Sequence, residues 1–303
     1  MYDIITLGSA TIDAFVKARK EVRKHDDHLD ICFHLGDKLL IEDLFLTTGG
    51  GGTNSAVAFS RLGLKTAFVG AIGNDLHGKF ILSELNKEKV DFLGKVKHGK
   101  SGFSVILKGA SDRTILAYKG VNNILLFSDI KLSKLNSKWI YISTMLGESF
   151  NTAKKIANYA KKHKIKIACN SSPYLAKQGL VRLSSFLKDI DILILNKEEA
   201  LDLSGKDSVE DAFIRISKYM NGIIVVTNSF KPIHAYYNGK IYQRNIKKIK
   251  AVDTTGAGDA FASGFVYGII KNSGILKSLD YGHKESSSIL MHIGAKNNLL
   301  RRL

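Results

Sequence analysis

Cysteine is nearly absent from this chain, whose 303 residues include only Cys32 and Cys169. The two form no CxxC pair and no metal-ligand spacing, which argues against a disulfide framework or a zinc site and leaves two reduced structural thiols. Long apolar runs are missing too. None reaches the roughly 18 residues that a membrane span requires, and Met1 leads straight into a strand-like segment rather than a signal-peptide pattern. These absences point to a cytoplasmic protein with no membrane partner. Asn170-Ser171-Ser172 has the form of a glycosylation acceptor, which carries no weight without a secretory signal. No internal repeat, low-complexity segment or linker breaks the chain.

Acidic residues are also in short supply. Against 45 Lys and Arg stand 28 Asp and Glu, a formal charge of +17. Such a field can serve nucleic acid or an anionic membrane. The lysines, however, are spread along the chain, with only short clusters such as Lys161, Lys162, Lys164 and Lys166, or Lys247, Lys248 and Lys250. That distribution reads as a solvated surface with no specific nucleic-acid partner, although its field draws in nucleotides. The apolar fraction of 45% is ordinary, and the length suffices for a substantial core in one large α/β domain or two small ones.

Taken in order, Tyr2 to Gly8 reads as a buried strand, with Asp13 just beyond it. Residues from about 16 to 46 change character and leave the core, beginning with a charged stretch from Lys17 to Asp30. The run Thr48 to Gly63, TGGGGTNSAVAFSRLG, places four glycines before a helix from about Thr53 to Leu62, with Thr53 or Asn54 as cap and Gly63 as the residue after its end. One strand from Thr66 to Ile72 and a helix from about Lys79 to Lys89 follow. From Trp139 the chain alternates strands at 139–143, 165–170, 191–196 and 222–228 with helices near 151–163, 180–188, 197–203 and 209–220. This predicts a doubly wound, mostly parallel α/β sheet with helices on both faces and ligands at the strand C-terminal ends. Asn170, Asn196 and Thr227 close three of those strands, where a nucleotide or metal would meet them. Asn and Thr also simply begin turns. Glu199, one helical turn past Asn196, is within reach of a hydrated magnesium ion. Asn238-Gly239 marks a hairpin between 233–237 and 240–246. A last helix spans about Leu276 to His292, before Gly294 and a basic tail, Arg301-Arg302.

Two stretches imitate a P-loop. Gly94 to Ser101, GKVKHGKS, satisfies GxxxxGK[ST], and Gly73 to Phe80, GNDLHGKF, fails only at its last position. A P-loop needs a helix after it to hold phosphate, whereas Ser101 is followed by two β-like runs joined by a turn with Gly109 and Asp112. The match reads as fortuitous. A P-loop nucleotidase using Lys100 is therefore the weaker of the phosphoryl-transfer readings.

The chemistry concentrates between Ala251 and Gly268, AVDTTGAGDAFASGFVYG. Gly256 and Gly258 allow a tight turn in which successive N–H groups converge. The helix from about Asp259 to Lys271 adds its unpaired N–H groups and positive dipole end, so the turn favours an oxyanion. Asp259 stands at that helix start. Either it only stabilises the helix N-terminus, or it accepts a proton from a substrate hydroxyl while the donors beside it neutralise a transferring phosphoryl group.

DTTGAGDAF resembles the C-terminal signature of the ribokinase-like (PfkB-type) carbohydrate kinases. GSATID, GGGGTNSAVAFSRLG, GAIGNDLHG and NKEEA extend the resemblance over nearly the whole chain. It implies one kinase domain, residues 1–303, with a small β-sheet lid formed from about 16–46 and 101–119 that covers the sugar and often serves in homodimers. It further implies that Asp13, Gly50, Gly51 and Asn54 bind the acceptor, while Gly256, Ala257 and Gly258 form the anion hole with Asp259 as base. Asn196 and Glu199 match the family's NxxE motif, which places Mg2+ and phosphate, and Thr227 lies where the family binds nucleotide. Asp253 and Thr255 would hold a monovalent cation in members that use K+. The expected activity is ATP-dependent phosphorylation of a small sugar's alcohol group. A nucleoside acceptor is the alternative, and a non-catalytic sugar sensor the rival from another class. Two departures stand out: Gly51 occupies the place of the Lys in the ribokinase GGKGAN, and Asn228-Ser229 with Lys231-Pro232 replaces the glycine-rich TLGxxG.

Overall fold

The computed structural model describes residues 1–18, 21–25, 28–108, 113–247, 249 and 251–303, with backbone alone for 18, 21–25 and 28–29. Its larger sheet is built on β1 (Tyr2–Leu7), flanked in parallel by β6 (Thr66–Val69) and β12 (Ser137–Ile142). β13 (Lys166–Asn170), β14 (Ile192–Asn196) and β15 (Ile223–Thr227) continue it in parallel. The hairpin β16 (Ile233–Tyr237) and β17 (Lys240–Arg244) closes one edge antiparallel, and the short β8 (Asp91–Phe92) closes the other. The nine strands run in the order β17-β16-β15-β14-β13-β12-β1-β6-β8. At the hairpin tip Asn238 and Gly239 have φ of 48° and 78°, as two left-handed turn residues require.

Strand alternation divides the core between the two faces of the sheet. Leu193 and Leu195 join one cluster, together with residues of α3 (Gly147–Lys162), α5 (Gly179–Leu187), α6 (Lys197–Ser204) and α7 (Val209–Ile216). Ile192 and Ile194 join the other, with α1 (Gly51–Arg61) and α8 (Ala257–Ile270). α9 (Ile275–Leu290) packs on α8. α2 (Leu76–Lys87) and the single-turn α4 (Pro173–Ala176) complete the helices used below. Both faces are covered, as continuous apolar strands demand. Each buried Leu or Ile side chain contributes roughly 1.5–3 kcal/mol. Among the described residues no helix is long and apolar enough to cross a membrane.

A second sheet, of four strands, stands apart in the order β11-β10-β2-β5. β2 (Thr11–Ala18) lies parallel to β10 (Gly102–Lys108) and antiparallel to β5 (Ile41–Gly49), and β11 (Arg113–Tyr118) pairs antiparallel with β10. β3 (Glu21–His25) and β4 (His28–Cys32) form a separate hairpin. The expected turn residues Gly109 and Asp112, like Lys248 and Lys250 of the basic cluster, lie outside the described residues.

The small sheet begins earlier and ends later than the sequence pattern implied. Thr11 pairs with Gly49 and Asp13 with Thr47, so Asp13 belongs to the sheet itself rather than to a loop before it. The strand expected over 66–72 is broken at Gly70, beyond which β7 (Ala71–Gly73) pairs with β9 (Lys95–Lys97) in a sheet of its own. α1 also starts two residues before its expected first turn. Its N-cap is Gly50, without a side-chain cap, and Thr53 and Asn54 lie inside the helix. Gly63, with φ of 83°, follows its end as expected.

Candidate active site

α8 starts from a tight turn. Gly256 is its N-cap, with φ 78° and ψ 0°, a conformation that costs an L side chain energy. A Cβ there would also lie 2.5 Å from the Cβ of Ala295. Ala257 N–H donates to Thr254 O at 3.2 Å. The N–H groups of Gly256 and Gly258 find no protein acceptor among the described residues, and a Cβ on Gly258 would meet nothing within 4 Å. The turn therefore has the open, donor-rich form that suits an anion. Asp253 clamps it. Its Oδ1 accepts from Thr255 N at 3.0 Å and from Thr255 Oγ1 at 2.7 Å, and its Oδ2 accepts from Gly294 N at 2.9 Å.

Asp259, in the first turn of α8, is fixed on both carboxylate oxygens. Asn54 Nδ2 donates to Oδ2 at 2.9 Å and Asn170 Nδ2 to Oδ1 at 3.2 Å. Burial pushes the Asp259 carboxyl above its ordinary range, while the two amides and the Lys296 charge pull the other way. Asn54 Oδ1 is buried with no donor among the described residues. An acceptor atom left so would cost about 1–3 kcal/mol, and a hydroxyl brought in by a ligand would satisfy it.

The glycine run packs against the same carboxylates. Gly50 takes φ 94°, and Gly52 and Thr53 donate their N–H groups to Ser9 O at 3.1 and 3.3 Å. A Cβ on Gly49 would overlap the Asp13 carboxylate, and one on Gly51 would overlap Ser143 Oγ and lie 3.2 Å from Asp259 Oδ1. Asp13 is buried and accepts from Thr11 Oγ1 at 3.0 Å. Burial raises its carboxyl too, against bonds from Thr11 and Ser104. Asn122 fixes the approach to β2 by bonding both Ala10 N and Ala10 O, at 2.9 and 2.8 Å.

Along β2, Asp13 and Phe15 share a face by alternation. From Phe15 the surface opens into a cleft of about 690 Å³ between the small sheet and the 251–254 loop, lined by Phe45, Ile106, Arg113, Val252 and Thr254 among others. Arg113 Nη1 donates across it to Thr254 Oγ1.

The strand ends expected to face nucleotide are arranged otherwise than by simple projection into a pocket. Asn196 caps α6, accepting from Glu199 N at 2.8 Å, while Glu199 Oε2 accepts from Asn196 N at 3.1 Å. The NxxE stretch is thus a reciprocal capping box. Burial pushes the Glu199 carboxyl up. Thr227 Oγ1 donates to Leu195 O at 3.4 Å. Among the described residues no three His, Cys, Asp or Glu side chains gather as a metal site.

Ser101, the last residue of the P-loop look-alike, is used structurally. Its N–H and Oγ bind the two oxygens of Asp75 at 2.9 and 2.6 Å, and Gly73 N donates to its Oγ at 3.0 Å. The strand β10, not a helix, follows it directly.

The structure therefore gathers Asp13, Gly50, Gly51, Asn54, Asp259 and the Gly256–Gly258 turn at one place. Sequence reading passed over Ser143 and Lys296, and put Asn170 at a strand end where a nucleotide or metal would meet it; in the structure its amide donates to Asp259. Ser143 was visible only as the polar end of an apolar strand.

A carboxylate held beside an open, donor-rich turn, with the small sheet on one side and the C-terminal ends of β12 and β13 on the other, is an arrangement that suits phosphoryl transfer. Residues 7–301 match the pfkB family carbohydrate kinase, and the chain belongs to that family. It is 29% identical over 271 residues to a ribokinase of Lactococcus lactis, covering 87% of this chain and 86% of that one. Among solved structures, the adenosine kinase of Sinorhizobium meliloti superposes with a TM-score of 0.83 at 18% identity, covering 99% of this chain and 97% of that one. The Arabidopsis thaliana ribokinase complexed with ribose and ATP gives 0.81 at 22% identity, covering 99% and 96%.

Proposed function

We propose that the protein transfers the γ-phosphoryl group of ATP to an alcohol group of a small sugar, with Asp259 as general base. The observation that carries this reading is Asp259 itself. Its two oxygens are oriented by Asn54 and Asn170 at the mouth of the anion-binding turn, beside the unsatisfied Asn54 Oδ1. The acceptor's hydroxyls bond Asp13, Asn54 and the backbone of Gly50 and Gly51. The reacting hydroxyl gives its proton to Asp259 and attacks the γ-phosphorus, the bond from that phosphorus to the β,γ-bridging oxygen breaks so that ADP leaves with the electron pair, and the N–H groups of Gly256, Ala257 and Gly258 receive the developing charge. Ala257 N–H leaves Thr254 O to do so. Closure of the small sheet over the acceptor keeps water out.

ATP is bound with magnesium, which supplies charge neutralisation on the phosphates when present. Glu199, a buried carboxylate with hard oxygen donors, suits contact with such an ion through water, and Asn196 and Thr227 lie with it at the strand ends toward the nucleotide. Asp253 and Thr255 would hold a monovalent cation such as K+ beside the turn. The Asp253 oxygens retain lone pairs after their three bonds. The exposed Leu44 and Leu46 of β5, which alternate with the cleft-facing Phe45, form the contact of a homodimer through the small sheet. Two free thiols, Cys32 and Cys169, fit the reducing cytoplasm.

The similarity to an adenosine kinase structure keeps nucleosides in view as acceptors. Turnover of magnesium-ATP against pentoses, hexoses, sugar acids and nucleosides, with and without potassium, discriminates among them. Asp259→Asn is expected to lower turnover on the acceptor so identified by 100-fold or more. Undiminished turnover removes Asp259 from the mechanism.

A further inference from the structure

Behind the acceptor loop lies a lysine that the reaction as described does not use. Lys296 is only 3% exposed. Its Nζ donates to Thr48 Oγ1 at 2.6 Å and to Glu84 Oε2 at 3.2 Å. Thr48 is the next-to-last residue of β5, where the small sheet runs into the glycine run that opens α1, and Glu84 belongs to α2. The backbone of Lys296 is held as well. Its carbonyl accepts from Arg61 Nη1 at 2.7 Å, and Arg61 is gripped by Glu88 through bonds of 3.0 and 2.7 Å. α1 therefore starts at the acceptor loop and ends on the residue that anchors that loop.

A buried ammonium ion is costly unless negative charge surrounds it. Glu84 pairs with it directly, and Glu88 and Asp13 act on it through space. The same charge acts on Asp259. The other ionisable groups in this neighbourhood act through space: Asp253 on Asp13, Asp259 on the buried Tyr141 phenol, and Arg61 on Glu285. Asp13 and Asp259 repel each other, and Lys296 is the cation that favours ionisation of both.

Resting on the kinase reading above, we propose that Lys296 is a positioning residue for phosphoryl transfer. Its ammonium ties the acceptor loop to α2 and supplies the fixed positive charge that lets Asp13 and Asp259 coexist as carboxylates in one pocket.

The test is the pH dependence of kcat/KM in Lys296→Met and Glu84→Gln. The first removes the charge, and the second removes the carboxylate that chiefly favours it. Lys296→Met is expected to move the acid limb upward, with rate lost below the limb, and Glu84→Gln to move it the same way. Carbon-13 titration of the Asp13 and Asp259 carboxyls is expected to move the same way, without any need for turnover. Should Lys296→Met not fold, Lys296→Met/Glu84→Gln removes both charges together and is expected to show the same displacement. A uniform loss of rate at every pH, with limb and carboxyl titrations unmoved, would make Lys296 a packing residue and overturn the proposal. Silence of the wild-type protein across the whole acceptor panel strikes the kinase reading instead, and the carboxyl titration then still decides the role of Lys296.

Discussion

Glu285 offers a quantitative check on how the helices behind the site are held. It is fully buried on α9, with Oε2 accepting from Leu300 N at 3.3 Å and Oε1 without a hydrogen-bond partner among the described residues. Burial raises its carboxyl from the ordinary 4.5 to about 7. The folded protein thus keeps a proton that the unfolded chain releases between those values. Stability is full below about pH 4.5 and falls as pH rises towards 7, because the unfolded state binds fewer protons there. The interval corresponds to roughly 3.5 kcal/mol at most, at ~1.4 kcal/mol per pH unit. Glu285→Gln reproduces the shape and neutrality of the protonated acid at every pH. Urea denaturation at pH 5, 6, 7 and 8 is the assay. The variant is expected to exceed the wild type by under about 1 kcal/mol at pH 5 and by up to about 3 kcal/mol at pH 8. Parallel stability curves for the two proteins over this range would refute the reasoning.

Two further outcomes follow from the site and the small sheet. Asn54→Ala removes one amide from Asp259 and the unsatisfied acceptor beside it. With charged hydrogen bonds contributing about 1.5–3 kcal/mol, kcat/KM is expected to fall roughly 10- to 100-fold, with an acid limb displaced upward because the Asn54 bond favours the ionised carboxyl. Leu44→Lys places a charge on the outer side of β5 and is expected to turn the proposed dimer into a monomer in sedimentation velocity, and unchanged sedimentation would rule that surface out.

How far the chain discloses this arrangement differs from element to element. The parallel strands were legible because apolar runs bounded by turn residues leave few other structures open to them. Residues such as Ile192 and Leu193 then divide between the two cores by alternation alone. The start of α1 was not. Thr and Asn are good N-caps, so the helix was expected to begin at Thr53 or Asn54. The glycine run instead lets the chain enter the helix at Gly50, which turns Thr53 Oγ1 back to Gly49 O at 2.6 Å and frees Asn54 for Asp259.

What local pattern conceals most is the company a catalytic group keeps. Asp259 stood out because it follows a glycine turn directly, whereas its two amide partners lie 205 and 89 residues away in sequence. No spacing rule reaches that far. Lys296 was hidden differently. In a chain with 45 Lys and Arg, one lysine in GAKNN looks like any solvated lysine, and only its burial sets it apart. The NxxE stretch shows a third kind of concealment, since Asn196 and Glu199 have the spacing of a capping box as well as of a ligand pair. In the folded chain the first is present at 2.8 and 3.1 Å, and it fixes Glu199 at the end of β14 whichever partner the carboxylate later meets. A capping box that orients a buried carboxylate serves both ends, so the helix start and the proposed magnesium contact depend on the same two residues.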